Sequence, residues 1–327
     1  MKMALVAGGY IPAAPLSNSI LTLMQEYKYF LEKVGHEVDI FNYKDVNKLL
    51  DKINHKNYDF VHLHTCQFVS EFNKRLEKKY CFTCHYGYLS KEDKWDKDFQ
   101  EGFQDYLNAP GIIALSHATK DIFLNAGYSG YMSVQVNGID TKKLDFKDQG
   151  NNKAICLGWI QPRKQQKLLA EIIDGKVAID FVGPLDDPGF VEGTTTKYLG
   201  VWSLKQVYSH ITNYSCLVLI SDGEVAPLVV LEAMAAGLSI VVSESASANL
   251  HSKDFIRVLP DDILTNATAE NQKIVCDTII ELIEKNKFLR RQIVEYVSEN
   301  FDFSQIIKNY IQIIDDFTNF DYQQVIN

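Results

Sequence analysis

Residues 221 to 237 read Ser-Asp-Gly-Glu-Val-Ala-Pro-Leu-Val-Val-Leu-Glu-Ala-Met-Ala-Ala-Gly. The apolar run Ser215 to Ile220 ahead of them has the look of a strand, and a loop carrying Glu224 follows it. A very apolar helix then starts near Pro227, a favourable first-turn residue, and stops before Gly237. A helix that starts at the end of a strand offers unpaired N–H groups and a positive dipole end, which suit a diphosphate. Glu232 lies in the middle of that apolar helix. A carboxylate there is costly to bury unless it accepts hydrogen bonds, for example from ribose hydroxyls. The competing reading is a helix with one wet edge.

A second group of chemically capable residues follows the strand-like Lys153 to Leu157, in Gly-Trp-Ile-Gln-Pro-Arg163-Lys164. A guanidinium grips two phosphate oxygens at once, so Arg163 is suited to an anion, with a solvated helix start as the alternative. His85 stands just after the strand-like Tyr80 to Cys84, and His62 and His64 flank Leu63 in another strand. Lone histidines are more often structural than catalytic. The pair Cys81 and Cys84 has metal or redox spacing without a second pair to complete it. In an extended strand the two side chains point to opposite faces, so buried thiols are expected.

These residues need elements to hold them. Short apolar runs alternate with amphipathic helical patterns along the whole chain, the signature of parallel sheets with helical crossovers. Met3 to Ala7 reads as a first strand, followed by Gly8 and Gly9, and Ile20, Leu23, Met24, Tyr27, Phe30, Leu31 and Val34 share one helical face. Gly35 stops that helix before the strand Glu37 to Phe41. Further strands are expected at Asp59 to Leu63, Tyr80 to Cys84, Gly111 to Leu115, Met132 to Val136, Val177 to Val182, Ser215 to Ile220 and Ser239 to Val242. The polar, turn-forming stretch Asp145 to Asn152 marks a domain boundary. The expected architecture is α/β: two Rossmann-like doubly wound parallel-sheet domains, residues 1–148 and 149–327, facing a cleft at the carboxyl ends of their strands. The last helix is free to pack back on the N-terminal domain.

The 327 residues suit two domains, and 46% hydrophobic with 23% charged residues is ordinary globular composition. A net charge of -9 argues against a general nucleic-acid binder. No window has the apolar length of a membrane span and no cleavable signal is read, so a cytoplasmic protein is expected. Lys74, Arg75, Lys78 and Lys79 form a basic cluster, read as a solvated face because Glu71 and Glu77 lie among them, with peripheral membrane contact as the limit.

The 221–237 segment resembles the Glu-x7-Glu signature of retaining GT-B glycosyltransferases, family 4 in particular. The resemblance implies that Glu224 bonds the donor sugar's hydroxyls, that Glu232 binds the nucleotide ribose, and that the backbone N–H groups of Leu228 and Val229 meet the phosphates. Pro227 stands where many members have a glycine. The family's Gly-Arg…Lys-Gly pattern is similar to Gly158 to Lys164; Lys164 matches the lysine, Trp159 occupies the arginine's position, and Arg163 would have to supply that charge. Asn137-Gly-Ile-Asp140 resembles the family's turn at the end of the first domain. His85 resembles the histidine of a Thr-x-His element that reaches the donor sugar from the opposite domain; Gly8 and Gly9 would let the backbone approach sugar or acceptor, with the easing of a turn as the alternative; and Trp202 falls where the family places the residue beside the base, with ordinary packing as an equal alternative. The family's glycine-rich loop is replaced by Pro15 to Ser19.

The resemblance therefore implies a retaining transfer from a nucleotide diphosphate sugar to a glycan, lipid-linked or other hydroxyl acceptor. Leaving-group charge would be balanced by Lys164, Arg163 and helix N–H groups. No Asp-x-Asp pair is read as a manganese holder, so no metal or other cofactor is expected. A nucleotide-sugar epimerase or hydrolase, or a non-catalytic nucleotide-sugar binding module, stands as the alternative.

Overall fold

The computed structural model describes residues 1–9 and 19–320. All of the replaced loop but Ser19, from Pro15 to Asn18, lies outside them. The chain divides into two compact units, the first formed by the described residues before Gly138 together with those from Phe303 onward, the second by Gly138–Asp302.

In the first unit β1 (Lys2–Ala7), α1 (Ser19–Lys33), β2 (Glu37–Asn42), α2 (Val46–His55), β3 (Phe60–Leu63), α3 (Val69–Arg75), β4 (Cys81–Phe82), α4 (Lys97–Tyr106), β5 (Gly111–Ala114), α5 (His117–Asn125) and β6 (Tyr131–Val134) follow in chain order. Their strands form a six-stranded sheet in the order β2-β1-β3-β4-β5-β6. Every pairing is parallel, with Leu5 of β1 opposite both Ile40 and His62. Central strands covered on both faces need unbroken apolar sequence, which is what Met3 to Ala7 supplies, each of them fully buried. The strand expected at Tyr80 to Cys84 shrinks to Cys81–Phe82, because Thr83 and Cys84 already turn into the loop that carries His85.

The second unit contains β7 (Ala154–Leu157), α6 (Gln166–Ile173), β8 (Ile179–Val182), β9 (Thr196–Tyr198), α7 (Leu204–His210), β10 (Cys216–Leu219), α8 (Leu228–Ala235), β11 (Ser239–Ser243), β12 (Ile256–Leu259) and α9 (Ala269–Asn300). Its sheet is again six-stranded, ordered β12-β11-β10-β7-β8-β9, and parallel at each pairing. The edge strands β9 and β12 escape the sequence pattern: Thr-Lys-Tyr and Ile-Arg-Val-Leu are short, and a charged residue interrupts each. α8 ends at Gly237, whose φ of +85 is left-handed. There the N–H of Leu238 donates to the carbonyl of Ala233 at 3.0 Å and that of Gly237 to Met234 at 2.9 Å, a Schellman closure that only glycine accommodates without strain.

The polar stretch 145–152 lies inside the second unit, tied to it by Asp145 N–H to the Tyr208 carbonyl (3.2 Å), Lys147 N–H to Thr212 Oγ1 (2.9 Å) and Asn151 N–H to the Asn213 carbonyl (2.6 Å). Arg290 of α9 is its polar hub. Fully buried, the guanidinium donates to the carbonyls of Lys147, Thr212, Tyr214 and Ala236 and to Asn286 Oδ1, at 2.7 to 3.0 Å. After α9 the chain returns to the first unit as α10 (Phe303–Thr318). Its buried Tyr310 and Phe317 pack on Phe60 of β3, and Tyr131 of β6 donates its hydroxyl to the Ile313 carbonyl at 3.1 Å.

Candidate active site

In the second unit, the chemically capable residues come from the carboxyl ends of two neighbouring strands. After β7, Pro162–Lys164 make a single tight helical turn, and Gln165 takes a left-handed φ of 54 before α6 begins. After β10, Ser221 to Ala226 form the loop that leads into α8. The two loops are joined: the N–H of Asp222 donates to the Arg163 carbonyl at 2.8 Å, and the Arg163 guanidinium donates to the Gly223 carbonyl.

That junction brings Arg163, Lys164 and Glu224 together. Lys164 Nζ lies 3.2 Å and an Arg163 guanidinium nitrogen 3.4 Å from Glu224 Oε1, and Ser221 Oγ donates to the same oxygen at 3.3 Å. The Glu224 side chain is 11% exposed and that of Lys164 13%, so these charges interact in a medium that screens them less than bulk water does. Ser221, wholly buried, was not singled out in the sequence, although it directly follows the strand expected at Ser215 to Ile220.

α8 starts without a side-chain cap on Pro227. The N–H of Val230 reaches back to the Pro227 carbonyl at 3.3 Å, and those of Leu228 and Val229 have no acceptor among the described residues. These are the free donors expected of an uncapped helix start. Glu232 follows one turn later. Its carboxyl keeps part of its surface open and takes no hydrogen bond or ion pair among the described residues, yet burial pushes its pKa up to about 7. A carboxylate left unpartnered at the edge of an apolar helix is poised to accept hydrogen bonds from outside the chain.

In the first unit, His62 is explained by structure alone. Thr83 Oγ1 donates its one proton to the Ile113 carbonyl (2.8 Å), so it accepts from His62 Nε2–H (2.8 Å), and His62 Nδ1 accepts from the Tyr310 hydroxyl (2.7 Å). Burial drives this histidine down to about 3, so it is a neutral element of the core. His64 is also buried, its ring 3.9 Å from that of His62, and its Nδ1 lies 3.2 Å from His85 Nε2. His85 is partly exposed and lowered by burial to about 4, so it too is neutral near pH 7. The role of Thr83 and Tyr310 in this chain was not legible from sequence, since Tyr310 arrives from a helix 248 residues away.

Residues 30–143 match the sequence model of Glycosyltransferase Family 4. A search of curated proteins by sequence returns no match. Among solved structures, Alr3699/HepE of Anabaena in complex with UDP and glucose superposes with a TM-score of 0.73 at 17% identity, covering 97% of this chain and 100% of that one. Sucrose-phosphate synthase from Thermosynechococcus elongatus does so at 0.71 and 16%, covering 96% and 98%, and an E. coli structure described as trehalose-6-phosphate bound with UDP-2-fluoro glucose at 0.67 and 12%, covering 98% and 100%. The chain has the GT-B fold, and residues 30–143 carry the sequence pattern of Glycosyltransferase Family 4.

The remaining sequence candidates are placed as follows. Trp202 is partly exposed beside His210 and Tyr214, at ring separations of 5.4 and 6.4 Å. Gly9 has a φ of +68, and a Cβ there would meet the Lys44 backbone nitrogen at 2.6 Å, so chain geometry alone demands glycine. Asp140 caps the turn Thr141–Lys143, its carboxylate accepting from Lys142 N–H at 3.2 Å. Trp159, at the family arginine's position, is 50% exposed. One Asp-x-Asp spacing does occur, at Asp96-Lys-Asp98; Asp96 is the N-cap of α4, accepting from Phe99 N–H at 2.8 Å and from the Tyr86 hydroxyl at 2.9 Å.

The cysteines are all free thiols. Cys81 lies against Gly111, whereas Cys84 Sγ is 3.7 Å from that of Cys66. Arg75 pairs with Glu71 at 3.3 Å, Lys74 bonds Ser70 and Lys78 bonds Asn57, so the basic cluster is a partnered surface. No helix among the described residues is long and apolar enough to cross a membrane.

Proposed function

We propose that this protein is a glycosyltransferase that transfers a sugar from a nucleoside diphosphate, with retention at the anomeric carbon, to a hydroxyl of a glycan or lipid-linked acceptor in the cytoplasm. The observation that carries the reading is the convergence of Arg163 and Lys164 on Glu224 beside a helix start with free N–H groups. Two cations and free amide donors suit a diphosphate, and the carboxylate among them keeps the cations oriented.

In this reading Lys164, Arg163 and the N–H groups of Leu228 and Val229 hold the diphosphate and stabilise its charge as the glycosidic bond breaks. Glu224 bonds the sugar hydroxyls and opposes the positive charge that develops on the sugar, Glu232 accepts from the ribose, and Trp202 offers its face to the base. His85 and the backbone at Gly9 address substrate hydroxyls from the first unit. These groups supply the leaving-group chemistry without a metal. Uridine diphosphate sugars are the first donors to try, because structures similar in fold are described with UDP or UDP-sugars.

The test is a thermal-shift panel of uridine, guanosine, adenosine and thymidine diphosphate sugars, run with chelator present, followed by product analysis with the best stabiliser. A donor that shifts the melting transition and is then transferred with retention supports the reading. Donor consumption with no acceptor in any assay would point to a hydrolase instead.

A further inference from the structure

His64 has a feature its neighbour His62 lacks. Both nitrogens of His62 are satisfied within the core, whereas His64, 1% exposed, uses only Nδ1, and its buried Nε2 has no partner among the described residues. His85 is the converse: its Nε2 faces His64 at 3.2 Å, while Nδ1 has no partner among the described residues. The two rings lie nearly parallel at 5.5 Å between centroids, with a 28° interplanar angle.

Burial keeps both rings neutral, the pKa of His64 lying well below its ordinary value. One proton therefore sits between them, and its side decides both tautomers. If His85 Nε2 carried it, His64 would hold its own proton on Nε2, a buried N–H with no acceptor. If His64 Nδ1 carries it, the unpartnered Nε2 is only a lone pair. Orphaned buried donors are the rarer of the two in folded proteins, so the second arrangement wins. It also leaves His85 with its proton on Nδ1, the nitrogen not used by the protein.

We propose that His64 is a positioning residue: its Nδ1–H donates to His85 Nε2, fixing the His85 ring and presenting His85 Nδ1–H as a neutral donor to a substrate hydroxyl oxygen. This rests on the reading that His85 contacts substrate; the tautomer itself does not. His62, its ring tilted by 40° with its centroid 3.9 Å away and held by Thr83 and Tyr310, is the floor that keeps His64 in place.

The test is long-range proton–nitrogen correlation spectroscopy on the full chain with ring-labelled histidines, His85 being identified by the signals lost in His85→Asn. The expected result is a His85 proton on Nδ1. His64→Asn, whose amide can donate from nearly the same place, should keep that tautomer, and His64→Phe should release His85 toward protonation on Nε2. With uridine diphosphate glucose as donor, turnover should fall about tenfold in His64→Phe, the worth of one oriented hydrogen bond, and recover in His64→Asn. A wild-type His85 protonated on Nε2 overturns the proposal, as does a His64→Asn variant that behaves like His64→Phe. If His64→Phe does not fold, the wild-type and His64→Asn spectra still decide. Normal turnover in His85→Ala would instead overturn the substrate contact, leaving the tautomer result intact.

Discussion

Glu232 and Glu224 are only a turn of loop and a turn of helix apart, yet their surroundings differ in kind. Glu224 is met by a lysine, an arginine and a serine; Glu232 is met by none among the described residues. Burial raises Glu232 from 4.5 to about 7, so the folded protein holds a proton that the unfolded chain releases between those values. This group's contribution is fully present below pH 4.5 and is lost as pH rises toward 7. Glu232→Gln should therefore be more stable than the parent at pH 8, by at most about 3 kcal/mol, and no different near pH 4.5, as measured by urea titration at both values. The ionised form is the better acceptor for ribose hydroxyls, so nucleotide affinity should rise as pH climbs through 7. Replacing Glu232 with alanine should weaken bare nucleoside diphosphate and full donor alike, by about 1.5 to 3 kcal/mol in calorimetric titration. Glu224→Gln should leave the bare nucleotide bound and depress turnover, because the sugar it addresses is absent from that ligand. The reverse pattern would exchange the two roles.

The start of α8 can be tested without touching a side chain that bonds anything. Proline is suited to a first helical position, and Pro227 ahead of it is already extended, at φ -66 and ψ 124. Leu228→Pro should therefore keep the helix while deleting one free N–H. We expect nucleoside diphosphate affinity to fall by roughly 1.5 to 3 kcal/mol, the worth of a charge-assisted bond, with little change in far-ultraviolet circular dichroism. α9 answers to a different logic. Arg290 satisfies the carbonyls of residues 147, 212, 214 and 236 at once. Arg290→Met fills similar volume but strands those acceptors in the core, and should cost more than about 3 kcal/mol in denaturant unfolding. A loss under about 1 kcal/mol would mean that water replaces the guanidinium.

At the scale of the whole molecule, the chain enters the second unit after residue 137 and comes back at 303, so the first unit is complete only once α10 has been made. Tyr310→Phe probes that closure with a single oxygen. It leaves His62 Nδ1 buried without a donor, so it should destabilise the first unit by about 1 to 3 kcal/mol. Hydrogen exchange should detect the loss in β3 and β4 and leave β10 and β11 unchanged. Equal loosening in both sheets would show that the two units unfold as one.

The sequence by itself determined the alternation of buried strands and amphipathic helices, because strands covered on both faces must be apolar throughout and Met3 to Ala7 or Cys216 to Leu219 admit no other reading. It also pointed to Glu232, whose charge stands out against apolar neighbours, and to Glu224, Arg163 and Lys164, each in the passage that leads from a strand into a helix. Tertiary structure alone decided what those charges meet. That Arg163 turns toward Glu224 depends on β7 lying next to β10, a pairing between segments some sixty residues apart. The strands β9 and β12 were hidden because they are only three and four residues long and each has a charged residue within it. What surrounds Arg290 and His64 was hidden for a different reason: each is polar where the pattern demands apolar residues, and only the backbone carbonyls or the second imidazole brought in by the fold offset the cost of their burial.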